Sequence, residues 1–226
     1  MPTQVSPILR IRKLLEAIDD ASAGTEALAT LTPQLEQLVA PGAAPYSEIV
    51  RAGRAFQTHM ATAVAAVVAI PTTAHMFSIY NGDPDGGRVG VIDWVAATNV
   101  VSTAVASQAQ LIGLVGQVRE AIPTNAALTI TKMNGLGDSI DSVMRTLLTG
   151  TALPTTTGTA ANWFPIGPSV GKPGAAGTPG YGLWAPVDGR IEVPPGRYFS
   201  MHVLANVVGE TFLGYISWHE KPLQLG

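Results

Sequence analysis

The sequence predicts a mainly β protein: an antiparallel β-sandwich or jelly roll over residues 46–226, preceded by a short helical N-terminal arm over 1–45. Three observations predict it. From about Tyr46 the vocabulary turns to Val, Ile, Thr, Gly and Pro, which suit strands and turns. The C-terminal quarter alternates its side chains with period two between closely spaced turn signals. Charge is also scarce: Asp, Glu, Lys and Arg make up 13% of the 226 residues, against roughly 25% in an ordinary soluble domain.

The arm comes first. Ser6 is a helix cap with Pro7 at the first helical position, where its missing N–H costs nothing. Ile8, Ile11, Leu15 and Ile18 then recur at helical spacing. Leu28, Leu31, Leu35 and Leu38 form a second apolar face, which Pro41-Gly42 ends. Two short amphipathic helices cannot bury their stripes alone and must dock elsewhere.

Within the domain, Ala61–Ile70 and Ala74–Tyr80 read as strands. The turn sequence Asn81–Gly87 then predicts a hairpin back through Arg88–Val95. Residues 99–118 fit helix or strand equally. Leu128–Lys132 and Val143–Leu148 read as short strands. Residues 149–180 are rich in Gly, Pro and Thr and predict a long loop. Asp188-Gly189 predicts a two-residue hairpin joining Tyr181–Pro186 to Arg190–Val193. Pro194-Pro195-Gly196 and Gly209-Glu210 turn the chain into Arg197–Asn206 and Thr211–His219. Together these strands predict a meander of neighbours.

Several chemistries are excluded. The chain has no cysteine, so disulfides, thiolate metal sites and cysteine nucleophiles are absent. A net charge of −3 argues against a nucleic-acid binder, which usually shows a basic face; the basic cluster Arg10, Arg12 and Lys13 is followed at once by Glu16, Asp19 and Asp20. Ala61–Ile70 is the longest apolar run and Pro71 stops it well short of the about 20 residues a membrane helix needs. Met1 to Arg10 contains no apolar stretch of signal-peptide length.

Gly137-Asp138-Ser139-Ile140 resembles the Gly-Asp-Ser block of the GDSL hydrolases. It lies mid-chain, however, and no Asp-x-x-His follows it. Asp83–Gly87 lacks the alternating ligands and closing Glu of a calcium loop. His59, His75, His202 and His219 show no paired ligand spacing, although His202 and His219 are placed to face each other across the last two strands. Glu192 and Glu210 are too isolated in sequence to form an acid/base pair. No catalytic, cofactor-binding or metal residue is nominated, and the reading is of a protein that is not an enzyme. The aromatics Trp163, Phe164, Tyr181 and Trp184 flank the long loop and are the candidate interface or glycan-contact residues.

The whole profile resembles bacteriophage virion structural proteins of the capsid cement or decoration and head-fibre class. The most specific stretch is Val187-Asp188-Gly189-Arg190-Ile191-Glu192-Val193-Pro194-Pro195-Gly196-Arg197-Tyr198-Phe199, which is similar to strands of virion β-sandwich domains. The resemblance implies a structural role on the capsid surface of a virion made in the host cytoplasm. It implies homo-oligomers, commonly trimers, bound to the major capsid protein. A tail, adaptor or fibre subunit, or a carbohydrate- or receptor-binding sandwich, are the alternatives. Residues 55–82, 94–118 and 146–171 contain no Asp, Glu, Lys or Arg. The first and third of these runs are the expected subunit interfaces.

Overall fold

The computed structural model describes residues 47–72, 75–83, 87–117, 119, 128–135, 142–148, 162–174 and 181–222. The predicted arm over 1–45 and the Gly137–Ile140 block lie outside these residues. A single helical turn, α1 (Ser47–Arg51), leads into β1 (Ala55–His59), β2 (Val64–Ala65), β3 (Phe77–Asn81), β4 (Arg88–Val101), β5 (Ser107–Val115) and β6 (Thr131–Lys132). Then come β7 (Met144–Leu148), β8 (Phe164–Lys172), β9 (Gly182–Val193), β10 (Tyr198–Ala205) and β11 (Thr211–Pro222).

The strands form two antiparallel sheets. The first runs β6-β1-β11-β4-β9, with β2 also on β11; the second runs β7-β3-β10-β5-β8. Eight of the strands pair in nested order: β1 with β11, β3 with β10, β4 with β9, and β5 with β8. The chain is thus a long two-stranded ribbon rolled into two layers. Phe56, Ile92, Phe212 and Trp218 of the first sheet share one apolar cluster with Phe77, Leu111, Phe199 and Met201 of the second. Each such side chain, fully buried, contributes about 1.5–3 kcal/mol.

The period-two alternation is real, but its partners differ from the expectation. Consecutive strands β9, β10 and β11 are not neighbours; they step between sheets. Asn81–Gly87 likewise carries the chain from β3 in one sheet to β4 in the other. Asn81 fixes that crossing. Its buried side-chain amide donates to Arg88 O and Val193 O, each at 2.8 Å, and its Oδ1 accepts from Asp83 N at 3.0 Å. The Asp83 carboxylate in turn accepts from Arg88 N, so it is committed to the turn. We expect Asn81→Leu, which strands two buried carbonyls, to cost about 2 kcal/mol in urea unfolding; a loss within experimental error would remove this role.

Asp188-Gly189 is not a hairpin. Both residues take positive φ, 50° and 76°, as such a turn would require, but β9 continues through them. Pro186 stands opposite Trp94 and Ile191 opposite Ile92, so residues 187–190 bulge out against Asp93 alone. Residues 149–180 are not all loop either: β8 occupies Phe164–Lys172 despite Pro165 and Pro168. It is the edge strand of its sheet, where a missing N–H costs no ladder bond. Within Ala61–Ile70, only Val64–Ala65 is strand, with an isolated bridge from Val67 to Leu204. Residues 107–115 of the ambiguous stretch are strand.

Both faces of the second sheet bury apolar side chains. Phe199, Met201 and Val203 of β10 point into the shared core. Of their alternates, Tyr198 joins a separate cluster with Tyr80, Ile112, Leu114 and Trp163, and Leu204 packs against it, while Ser200 and His202 are buried polar residues. This explains why β3 is buried along its whole length: in the uncharged run 55–82, Phe77–Asn81 is interior rather than interface.

Candidate binding surface

The four predicted contact aromatics do not form one surface. Trp163 is buried in the outer cluster of the second sheet. Phe164 is half-buried at the start of β8 and lines a groove of about 500 Å³ between the β8 and β9 edges, with Val187, Arg190 and Ile191. Tyr181 packs edge-on against Phe212, and its hydroxyl is drawn inward. Trp184 alone is exposed, at 60%. It stacks on Trp94 with ring centroids 5.5 Å apart and planes 2° from parallel.

Trp94 was missing from the sequence-derived set. The register explains the pair: Trp184 lies opposite Ala96 on β4, two residues along the same face from Trp94. Tyr215 lies on the other side of Ala96, and its hydroxyl donates to Gln57 Oε1 at 2.9 Å. The outer face of the first sheet therefore carries an aromatic platform flanked by fixed polar groups.

The histidines are separated. His202 sits in the second sheet and His219 in the first, so they do not face each other. His219 Nδ1 lies 2.9 Å from Asp93 Oδ1, at the bulge. His202 is buried, and its Nδ1 accepts from Val203 N at 2.9 Å. Loss of hydration pushes its pKa down to about 4; a bond from Nδ1 to Val203 O, 3.2 Å away, opposes this in the charged ring, and nearby His75 adds to the lowering. Among the described residues no group of three His, Asp or Glu side chains is placed to hold a metal.

Charge is segregated along the strands. At one end of the domain lie residues 60–72 and 75–76 and the described residues of the β4–β5, β8–β9 and β10–β11 connections, 102–106, 173–174, 181 and 206–209. Residues 60–76, 102–106, 173–181 and 206–209 contain no Asp, Glu, Lys or Arg. Val68, Val100, Val101, Val105 and Val208 are exposed there. Arg88, Arg197, Lys221 and Asp83 lie toward the other end, around the β3–β4 and β9–β10 connections.

The charges that the uncharged end does contain are inside it. Glu210 and Lys172 are buried, with Nζ 3.2 Å from Oε1. Ser107 Oγ donates to Oε1 at 2.8 Å and Tyr181 OH to Oε2 at 2.7 Å. Lys172 Nζ also donates to Thr103 O. Burial alone would raise the Glu210 carboxyl, but hydrogen bonds from Tyr181, Ser107 and Lys172, with the Lys172 charge, hold it below the ordinary carboxylate range. Burial, together with the Glu210 carboxylate, pushes Tyr181 up to about 12, so its proton stays in place. The arrangement is a closed knot of donors and one acceptor group. It offers neither a free base nor a nucleophile, and it anchors the surface above it.

No family model, no curated protein and no solved structure matches this chain.

Proposed function

We propose that this chain is a non-enzymatic structural protein of a phage virion: a jelly-roll cement or decoration protein that binds and stabilises the capsid shell. The observation that carries the reading is the strand order. Sheets ordered β1-β11-β4-β9 and β3-β10-β5-β8 support a jelly-roll reading, the double Greek key used by viral capsid and lectin domains. The uncharged, valine-bearing end supports it, because a shell protein spends its working life covered by neighbours. The mechanism is passive: surface buried across subunits raises the stress the shell withstands.

The exposed Trp94–Trp184 pair favours one second reading, in which the outer face of the first sheet stacks on a sugar ring of a receptor. One experiment addresses both. Purified protein is co-sedimented with capsids lacking it, and the capsids are then heated. Binding with a raised disruption temperature, unchanged by Trp184→Ala, is the expected result. Failure to bind, together with glycan-array signals lost on Trp184→Ala, would replace shell bracing with receptor binding.

A further inference from the structure

We infer that Asn134-Gly135 is a modification site: in the folded protein its asparagine converts spontaneously to aspartate and isoaspartate, while the same dipeptide at Asn81-Gly82 is held unreactive by the fold. Nothing in this depends on the shell-protein reading.

The chemistry sets the conditions. The backbone nitrogen of the following residue gives its proton to a solvent base and attacks the asparagine Cγ. The side-chain nitrogen takes a proton from water and leaves as ammonia, closing a five-membered succinimide. Water then opens the ring at either carbonyl, to aspartate or to isoaspartate. The net change is one water in and one ammonia out. Glycine in the second position favours the attack, because no Cβ shields its nitrogen and its backbone turns freely. A reactive pair therefore needs a carboxamide able to turn, a loosely held glycine N–H and access to water.

The chain has two Asn-Gly pairs, at 81–82 and 134–135. The first meets none of these conditions. Asn81 is fully buried. Its amide donates to Arg88 O and Val193 O, its Oδ1 accepts from Asp83 N, and Gly82 N donates to Val143 O at 3.0 Å. Ring closure would break these bonds where no water replaces them.

The second pair lies in the turn after β6, the edge strand of its sheet. Gly135 is exposed, with φ 72° and nothing within 4 Å of the place a Cβ would take. Its N–H reaches Lys132 O only at 3.5 Å, a loose bond. A cation stands close by. Asn134 Nδ2 and Lys132 Nζ lie 3.3 and 4.0 Å from the point a Cβ on Gly53 would occupy, so both nitrogens sit over the same glycine. Positive charge there favours loss of the Gly135 proton, the oxyanion formed in the attack and the carboxylate of the product. The fold also tolerates the product. β6 is tied to β1 through Thr131, Lys132 and the bond from Met133 N to Ala55 O, all of which precede the altered link.

The test holds the full chain at mildly alkaline pH for weeks, natively and in guanidinium chloride, and compares tryptic peptides before and after. Asn134 and Asn81 are the sole asparagines of peptides 133–145 and 55–88, so a mass gain of about one dalton in either reports one site. Methyl transfer by an isoaspartyl methyltransferase reports the rearranged link. In guanidinium chloride both peptides should gain. In the native protein peptide 133–145 should gain and peptide 55–88 should not, with the circular dichroism of the converted chain unchanged. A native Asn134 that stays intact while its denatured control converts would overturn the inference. So would a native Asn81 that reacts as fast as Asn134, or conversion at Asn134 that appears only as the protein unfolds.

Discussion

Lys172→Met is expected to destabilise the domain by about 3–5 kcal/mol, the typical cost of removing one partner of a buried ion pair. That is a large share of the about 5–15 kcal/mol that holds most domains folded. The methionine fills similar space, so the loss comes from Glu210, which remains fully buried without its cation. Two further results identify the cause. In the wild type Glu210 sits below its ordinary pKa, so its contribution is present above the unfolded value and fades as pH falls through the folded one. Without Lys172, only the Tyr181 and Ser107 bonds oppose burial, and the folded pKa is expected to rise above the unfolded value. Mildly acid solution should then restore part of the variant's deficit while it weakens the wild type. Glu210→Gln added to Lys172→Met should also recover part of the loss. Urea unfolding at neutral and acid pH measures all of this; a deficit that neither acid nor Glu210→Gln reduces would mean that lost packing, not the stranded carboxylate, is responsible.

The second large effect belongs to His202. Its folded pKa is about 4 against 6.5 for the free side chain. The folded state therefore refuses a proton that the unfolded state accepts. Stability is complete above pH 6.5 and declines as pH falls toward 4, by about 3 kcal/mol at about 1.4 kcal/mol per pKa unit. Glu220 works in the opposite direction, since burial holds its carboxyl above the ordinary range. Comparing wild type with His202→Gln isolates the histidine: the variant should lose distinctly less stability between pH 7 and 4.5. Parallel curves would show that His202 is not the group that titrates.

Much of the secondary structure was legible because period two is a local property. Tyr198–Ala205 alternates in sequence as it does in space. What the alternation could not say was which face meets what, and here both faces are buried, the second with Tyr198 and Leu204 beside Ser200 and His202. Turn chemistry was legible in kind but not in use. Asp188 and Gly189 take the backbone angles their identities suggest, yet those angles serve a bulge. A glycine-rich connection reads alike whether it joins neighbours in one sheet or arches between two, which is why a meander was expected. Proline hid β8, since an edge strand tolerates what a central one does not.

The surface was harder to read. Glu210 looked isolated because its partners Ser107, Lys172 and Tyr181 come from remote stretches that meet only once both sheets form. Trp94 and Trp184 are 90 positions apart, and the three extra residues of the bulge help set the register that stacks them. The scarcity of charge was plain in the sequence, but its confinement to one end appears only when four separate connections are brought side by side.

The nested pairing of the ribbon has a consequence for biosynthesis. β11 is made last, yet it lies between β1 and β4, with Ala55 opposite His219. Until β11 has emerged from the ribosome, the first sheet lacks an inner strand between β1 and β4. The first sheet must therefore wait for all the intervening strands and β11 to emerge. Sequence-distant pairing of this kind also folds slowly and leaves sticky intermediates exposed. A truncation that removes β11 would take away the middle of a sheet rather than its margin, and a stalled or clipped chain would be a substrate for chaperones and proteases instead of a smaller working protein.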